Sequence, residues 1–118
     1  MNLSIGNVTI DCQNPADQLA GFYSQLLGHP VDPDANEHYA TVGRGSGMTP
    51  PLMFMHVPDK TPGKNVIHLD LVTPHWREEV ERAVSLGARH LADYDEYGIN
   101  WATLADPEGN LFDIGAHD

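Results

Sequence analysis

The chain of 118 residues holds a single cysteine, Cys12, which excludes an internal disulfide and a zinc site built on several thiolates. Bases are scarce: 6 Lys and Arg stand against 17 Asp and Glu, a formal charge of -11. Nucleic acid and anionic membrane surfaces are poor partners for such a chain, because phosphate binding needs a basic surface. The seven histidines offset this charge only as pH falls toward about 6.5. No apolar run approaches the roughly 18 residues of a membrane span. The opening MNLSIGNVTI lacks the basic region and apolar stretch of a secretory leader, so the expected compartment is the cytoplasm. What remains is an ordinary globular composition, 41% hydrophobic and 19% charged, of a length that suits one domain.

The chain repeats itself. Ile10 to Pro15, IDCQNP, matches Leu69 to Pro74, LDLVTP, at an offset of 59, and Leu27-Gly28 matches Leu86-Gly87 at the same offset. Tyr39 to Val42, YATV, matches Trp101 to Leu104, WATL, at an offset of 62. Each match is short, but their common order and nearly constant spacing indicate a duplicated unit. The expected division is one domain, 1–118, with module one at about 1–58, a turn-rich linker at about 58–64 (PDKTPGK) and module two at about 65–118.

Both halves predict the same order of elements. Leu3 to Cys12 alternates like a strand, with Gly6 as a bulge; Asn14-Pro15 fits a helix start, and Leu19, Phe22, Tyr23 and Leu26 recur at helical spacing up to Gly28. In the second half Val66 to Val72 is the strand, Thr73-Pro74 the cap, and Val80, Ala83 and Val84 the apolar stripe, with Gly87 as the stop. Further strands are expected at 39–42, 52–57, 99–105 and 111–115, with short ones near Val31 and His90. Each half is thus βαβββ, an α+β fold.

Alternation along each strand assigns faces. Val8, Ile10 and Cys12, then Ile67, Leu69 and Leu71, form the apolar sets that should face the helices; Ala102, Leu104, Phe112 and Ile114 join them. The opposite face then carries Thr9, Asp11, Tyr39, Thr41, Met53, Met55, His68, Asp70, Trp101, Thr103 and Asp113. That mixture of aromatic, thioether, hydroxyl, imidazole and carboxylate groups suits a lined cavity better than a solvated surface.

The duplicated unit, together with NPADQLAGFYSQLLG, VIHLDLV, REEVERAVSLGARHL and DPEGNLFDI, resembles the vicinal oxygen chelate superfamily of glyoxalases, bleomycin-resistance proteins and extradiol dioxygenases. The resemblance covers nearly the whole chain and is nearest to the small glyoxalase-like domains. It implies two βαβββ modules forming a curved mixed sheet around a central cavity, with helices outside, and a homodimer. It also implies metal ligands on the first and last strand of each half. Those positions hold His68 and Asp113 in the second half but Thr9 and Met55 in the first. A threonine and a thioether are poor ligands for Mg, Mn or Fe(II), so no complete metal site is expected unless Asp70 or a partner subunit contributes.

His68 and Asp113 are therefore the candidate acid–base pair, with a divalent metal held by the two as the alternative. The plainer reading of His68 is a pocket histidine bonded to Asp70 or Asp113, and of Asp113 a solvated carboxylate. Trp101 and Tyr39 either stack on a planar ligand or fill the cavity or a subunit interface. Thr9, Asp11, Thr41, Met53, Met55, Asp70 and Thr103 complete the candidate binding set. Cys12 reads as a small buried hydrophobe rather than a redox thiol. Gly43 to Gly47, GRGSG, lacks the lysine and helix start of a phosphate loop and reads as a flexible loop and candidate lid. Asp93 to Glu96 reads as a solvated loop, and His29, His38, His75, His90 and His117 as surface residues. The expectation is a protein that holds a small apolar or aromatic ligand without a complete metal site. The alternative is a lyase, isomerase or dioxygenase of the glyoxalase type using His68 and Asp113. An acidic-surface partner protein is the least specific reading.

Overall fold

The computed structural model describes residues 2, 4–60, 63, 65 and 67–116. The expected strand positions Leu3 and Val66, linker positions Thr61, Pro62 and Lys64, and His117 lie outside the described residues. The chain divides into two compact units, Met1–Thr61 and Pro62–Asp118.

The first unit runs β1 (Val8–Cys12), α1 (Ala16–Leu27), β2 (Tyr39–Val42) and β3 (Leu52–His56). Its sheet has the order β1-β3-β2, with β1 parallel and β2 antiparallel to β3. The strand expected near Val31 is a single antiparallel bridge to Val42. Pro30 and Pro33 flank it, and prolines carry no N–H with which to extend a ladder. Gly6 lies ahead of β1 rather than as a bulge within it. Helix α1 buries Ala16, Leu19, Ala20, Phe22, Tyr23 and Leu26. Pro15, extended at ψ 135°, is the flanking residue rather than the first helical one. Gly28 ends the helix in the left-handed region at φ 72°, its N–H donating to the Ser24 carbonyl at 2.9 Å. The Tyr23 ring stacks on Phe54 of β3 at 5.4 Å and meets Phe22 edge-on at 5.0 Å, joining helix to sheet.

The second unit runs β4 (Leu69–Thr73), α2 (Trp76–Ser85), β5 (Arg89–Glu96), β6 (Ile99–Ala105) and β7 (Leu111–Ala116). Its sheet has the order β4-β7-β6-β5, with β4 parallel to β7 and the remaining pairs antiparallel. The cap expected at Thr73-Pro74 is displaced: His75 flanks the helix with no side chain capping it, and the Thr73 hydroxyl accepts from the His75 N–H at 3.0 Å in a turn ahead of it. Helix α2 buries only Val80 and Ala83, while Val84 of the expected stripe is 44% exposed. The Trp76 indole adds a tie to the sheet, donating to the Ile114 carbonyl at 2.9 Å. Beneath the helix lie Ala102, Leu104, Phe112 and Ile114, as alternation required.

Two expectations fail here. Ile67 does not face the helix: it precedes β4 and is 79% exposed. The acidic segment Asp93 to Glu96 is no loop but the second half of β5, continuing past a register shift between His90 and Ala92. As an edge strand β5 tolerates its charges, which also guard the open edge. It turns into β6 through Tyr97 and Gly98, both at positive φ (56° and 73°), the two-residue hairpin geometry whose twist matches paired strands.

Candidate functional site

In module two, register converts sequence spacing into a cluster. Asp70 of β4 lies opposite Asp113 of β7, and Asp113 lies opposite Thr103 of β6, so the three stand abreast on the face away from α2. His68, just before β4, points to the same group. Its Nε2 lies 3.3 Å from Asp70 Oδ1 and 3.4 Å from Asp113 Oδ2. The Thr103 hydroxyl donates to Asp113 Oδ1 at 2.7 Å. Asp113 is half-buried, whereas His68 and Asp70 are exposed. One imidazole nitrogen thus faces two carboxylates, and one of those is fixed from behind by a hydroxyl.

The next row on this face is apolar: Val72, Gly115, Trp101 and Tyr94 stand side by side across the four strands. The Trp101 and Tyr94 rings stack at 5.1 Å with 18° between planes. Tyr94 escapes a sequence reading because the surrounding acids make its strand look like a loop.

In module one the open face carries two rows. Thr9, Met53 and Thr41 form one, and Asp11, Met55 and Tyr39 the other. Thr9 and Asp11 are exposed, as are Tyr39 and Met55, and Met53 is half-buried. The Thr9 hydroxyl accepts from Asn7 Nδ2 at 2.9 Å. Thr41 is buried, and its hydroxyl donates to Asp32 Oδ2 at 2.7 Å.

Asp32 is a residue the motifs did not single out. Its carboxylate also accepts the N–H of Arg44 at 3.0 Å and of Gly45 at 2.8 Å. Burial pushes its pKa up, but the Gly45 amide, the Thr41 hydroxyl, and the Arg44 amide and charge outweigh this and hold it below the ordinary 3.8. The amides of Arg44 and Gly45 in the GRGSG loop are therefore committed to a side chain of their own module. The only signal in the sequence was an aspartate set between two prolines, which suits many turns. Gly43, at φ 83°, admits no side chain, since a Cβ there lies 2.6 Å from that of Met48.

Four other histidines make contacts away from this cluster. His29 Nδ1 lies 2.7 Å from the Ser46 hydroxyl, His90 pairs with Asp93 at 2.6 Å, and His38 and His75 lie 3.4 Å from Glu37 and Glu78. Cys12 is fully buried, as expected of a small hydrophobe. Among the described residues, no helix is long and apolar enough to cross a membrane.

Duplicated modules of this topology, each with a helix on one face and mixed chemistry on the other, define the vicinal oxygen chelate class. The glyoxalase-like domain model matches residues 7–115, and the chain belongs to that family. A glyoxalase/bleomycin resistance/dioxygenase family enzyme from Burkholderia phytofirmans PsJN superposes with a TM-score of 0.77 at 20% identity, over 97% of this chain and 98% of that one. The genomically encoded fosfomycin resistance protein of Listeria monocytogenes gives 0.77 at 13% identity, over 100% and 96%. The bleomycin resistance determinant of transposon Tn5 gives 0.68 at 21%, over 98% and 99%. At these identities the likeness establishes the fold alone. No curated protein matches the chain.

Proposed function

We propose that the protein binds a small apolar or aromatic molecule against an open sheet face. One observation carries this reading: a stacked pair of aromatic rings, Trp101 and Tyr94, stands on the sheet face that no helix of its module covers. Stranding such rings beside water costs hydrophobic free energy that a ligand recovers. Met53, Met55 and Tyr39 give the open face of module one similar adaptable apolar character. His68, Asp70, Asp113 and Thr103 supply polar contacts that orient a ligand on the face of module two, and Thr9 and Asp11 do so on that of module one. The bleomycin resistance determinant among the structural relatives is consistent with a binding role.

The test is a thermal-shift and tryptophan-fluorescence panel of apolar and aromatic small molecules on the full chain. Saturable binding that Trp101→Ala weakens at least tenfold supports the reading; no binding across the panel overturns it. Light scattering on the same sample checks the homodimer that the family resemblance implies.

A second reading rests on a different observation. Ligand atoms of His68, Asp70 and Asp113 all lie within 4.8 Å of one another. One imidazole and two carboxylates make a hard donor set that fits a divalent ion such as Mn or Fe(II). The ion would supply Lewis-acid chemistry for a lyase, isomerase or dioxygenase, with His68 and Asp113 holding it and Asp70 as third donor. The equivalents of His68 and Asp113 in module one are Thr9 and Met55, which add nothing suitable. Elemental analysis of untagged protein separates the readings. Stoichiometric metal that His68→Ala removes favours the enzyme, and substoichiometric metal after dialysis against Mn, Fe, Ni and Zn favours the binding protein.

A further inference from the structure

The apolar row on the open face of module two has a gap in it. Its four positions, Val72, Gly115, Trp101 and Tyr94, lie on adjacent strands β4, β7, β6 and β5. Strands in a sheet run about 4.8 Å apart, and the Trp101 and Tyr94 centroids are 5.1 Å apart with nearly parallel planes. The two rings therefore stand upright on the sheet, one per strand. On the next strand the row continues with Gly115, which has no side chain, and on the one beyond it ends at Val72, 66% exposed. A Cβ built on Gly115 meets nothing closer than 3.8 Å, and its three nearest neighbours are the Asn100 and Leu71 carbonyl oxygens and Trp101 Cβ. The strands bearing Trp101 and Val72 are two spacings apart, about 9.6 Å. A flat ring makes contacts of about 3.5–4.0 Å on each side, so one ring fits between them.

We propose that this gap is a slot for a single planar layer of aromatic ring, simple or fused, inserted above Gly115 between Trp101 and Val72, and that its occupant is cationic. The proposal rests on the small-molecule reading above and narrows it to a class. Charge complementarity selects the cation. Asp113 stands on the same strand and face two residues before Gly115, about 7 Å away, with Asp70 beside it. His68 can neutralise at most one of these two carboxylates. Across the chain the formal charge is -11. A cationic ring also gains from the face of the indole, whereas an anionic ring meets repulsion from Asp70 and Asp113.

Two rings of nearly the same shape test the charge. At mildly alkaline pH aminoacridine is cationic and acridine is neutral. Fluorescence titration of the full chain is expected to show aminoacridine binding about tenfold tighter. The preference should shrink in salt and in Asp113→Asn. Gly115→Val tests the slot: a Cβ there meets nothing closer than 3.8 Å, its branches fill the gap, and both rings should bind at least tenfold more weakly with an unchanged circular dichroism spectrum. Val72→Phe narrows the slot from the opposite wall at an exposed site and should act the same way. Equal affinity for the two rings, or tighter acridine, overturns the charge assignment. Undiminished binding in both Gly115→Val and Val72→Phe overturns the slot. A chain that binds neither ring but does bind non-planar apolar molecules fails this proposal alone. A chain that binds no member of either set fails the small-molecule reading as well.

Discussion

The two modules share a plan and spend it differently. Module one packs a well-filled core: α1 buries six side chains, and Tyr23 locks onto Phe54. In module two α2 buries two, and one indole hydrogen bond adds a tie to the sheet. The open faces reverse the contrast. Register makes Asp11 equivalent to Asp70 and Met55 equivalent to Asp113, with Thr9 in the place of His68. Module two thus holds a charged cluster where module one holds a thioether and a hydroxyl. Duplication has kept the helix-facing alternation, which any such sheet needs to bury, and has let the other face diverge. The better-filled helix–sheet core lies in one copy and the charged cluster in the other.

The sharpest way to break this contrast is through the cores. Phe54→Ala removes a fully buried ring together with its stacking partner's contact and should cost about 3–5 kcal/mol by chemical denaturation. Val80→Ala in module two should cost about 1–2 kcal/mol, since less apolar volume is lost under a helix that buries fewer side chains. Equal losses would contradict the division of labour.

Next in size is Asp32. Asp32→Ala leaves the Thr41 hydroxyl and two loop amides without their acceptor and should cost about 1–3 kcal/mol. Its folded pKa is depressed below 3.8, so its ionised form favours the folded state. That contribution is present above 3.8 and fades as pH falls from there through the lower folded value. Asp32→Asn should therefore be less stable than the parent near neutrality, and the gap should close in strong acid. A gap that is constant with pH would show that the clamp does not depend on charge.

How much of this was readable beforehand divides along physical lines. A two-residue period is robust, so the faces of Thr9, Asp11, Met53, Met55, Asp70, Trp101, Thr103 and Asp113 followed from alternation alone. Register is not local, and there the reading slipped. YATV and WATL look equivalent, but pairing sets Tyr39 opposite Met55 and Thr103 opposite Asp113, which makes Tyr39 the counterpart of Thr103 and not of Trp101. A slip of two preserves every face, so nothing in the hydrophobic pattern betrays it. Tyr94 was hidden because an edge strand needs little apolar patterning to hold its place. Asp32 was hidden because its partners sit 9 to 13 residues away, on β2 and in the loop after it. Ile67 misled because one apolar residue in phase with a strand does not lengthen it.

The smallest expected effect tests the divergence of the open faces most directly. His68 stands between Asp70 and Asp113, which register sets side by side. Its removal leaves two like charges facing each other across a strand pair, and such pairs cost a few tenths to about 1 kcal/mol. His68→Ala should lower stability by that order at low ionic strength, with much of the loss recovered in salt, because the group is exposed and screened. Adding Asp113→Asn to His68→Ala should remove the repulsion and with it the salt sensitivity. Thr9→Ala, at the equivalent position beside Asp11 and Met55, should show no salt dependence at all, since only one carboxylate is present there. Matching salt responses in His68→Ala and Thr9→Ala would mean that the carboxylate pair of module two does not interact through His68, and the electrostatic difference between the two copies would fall.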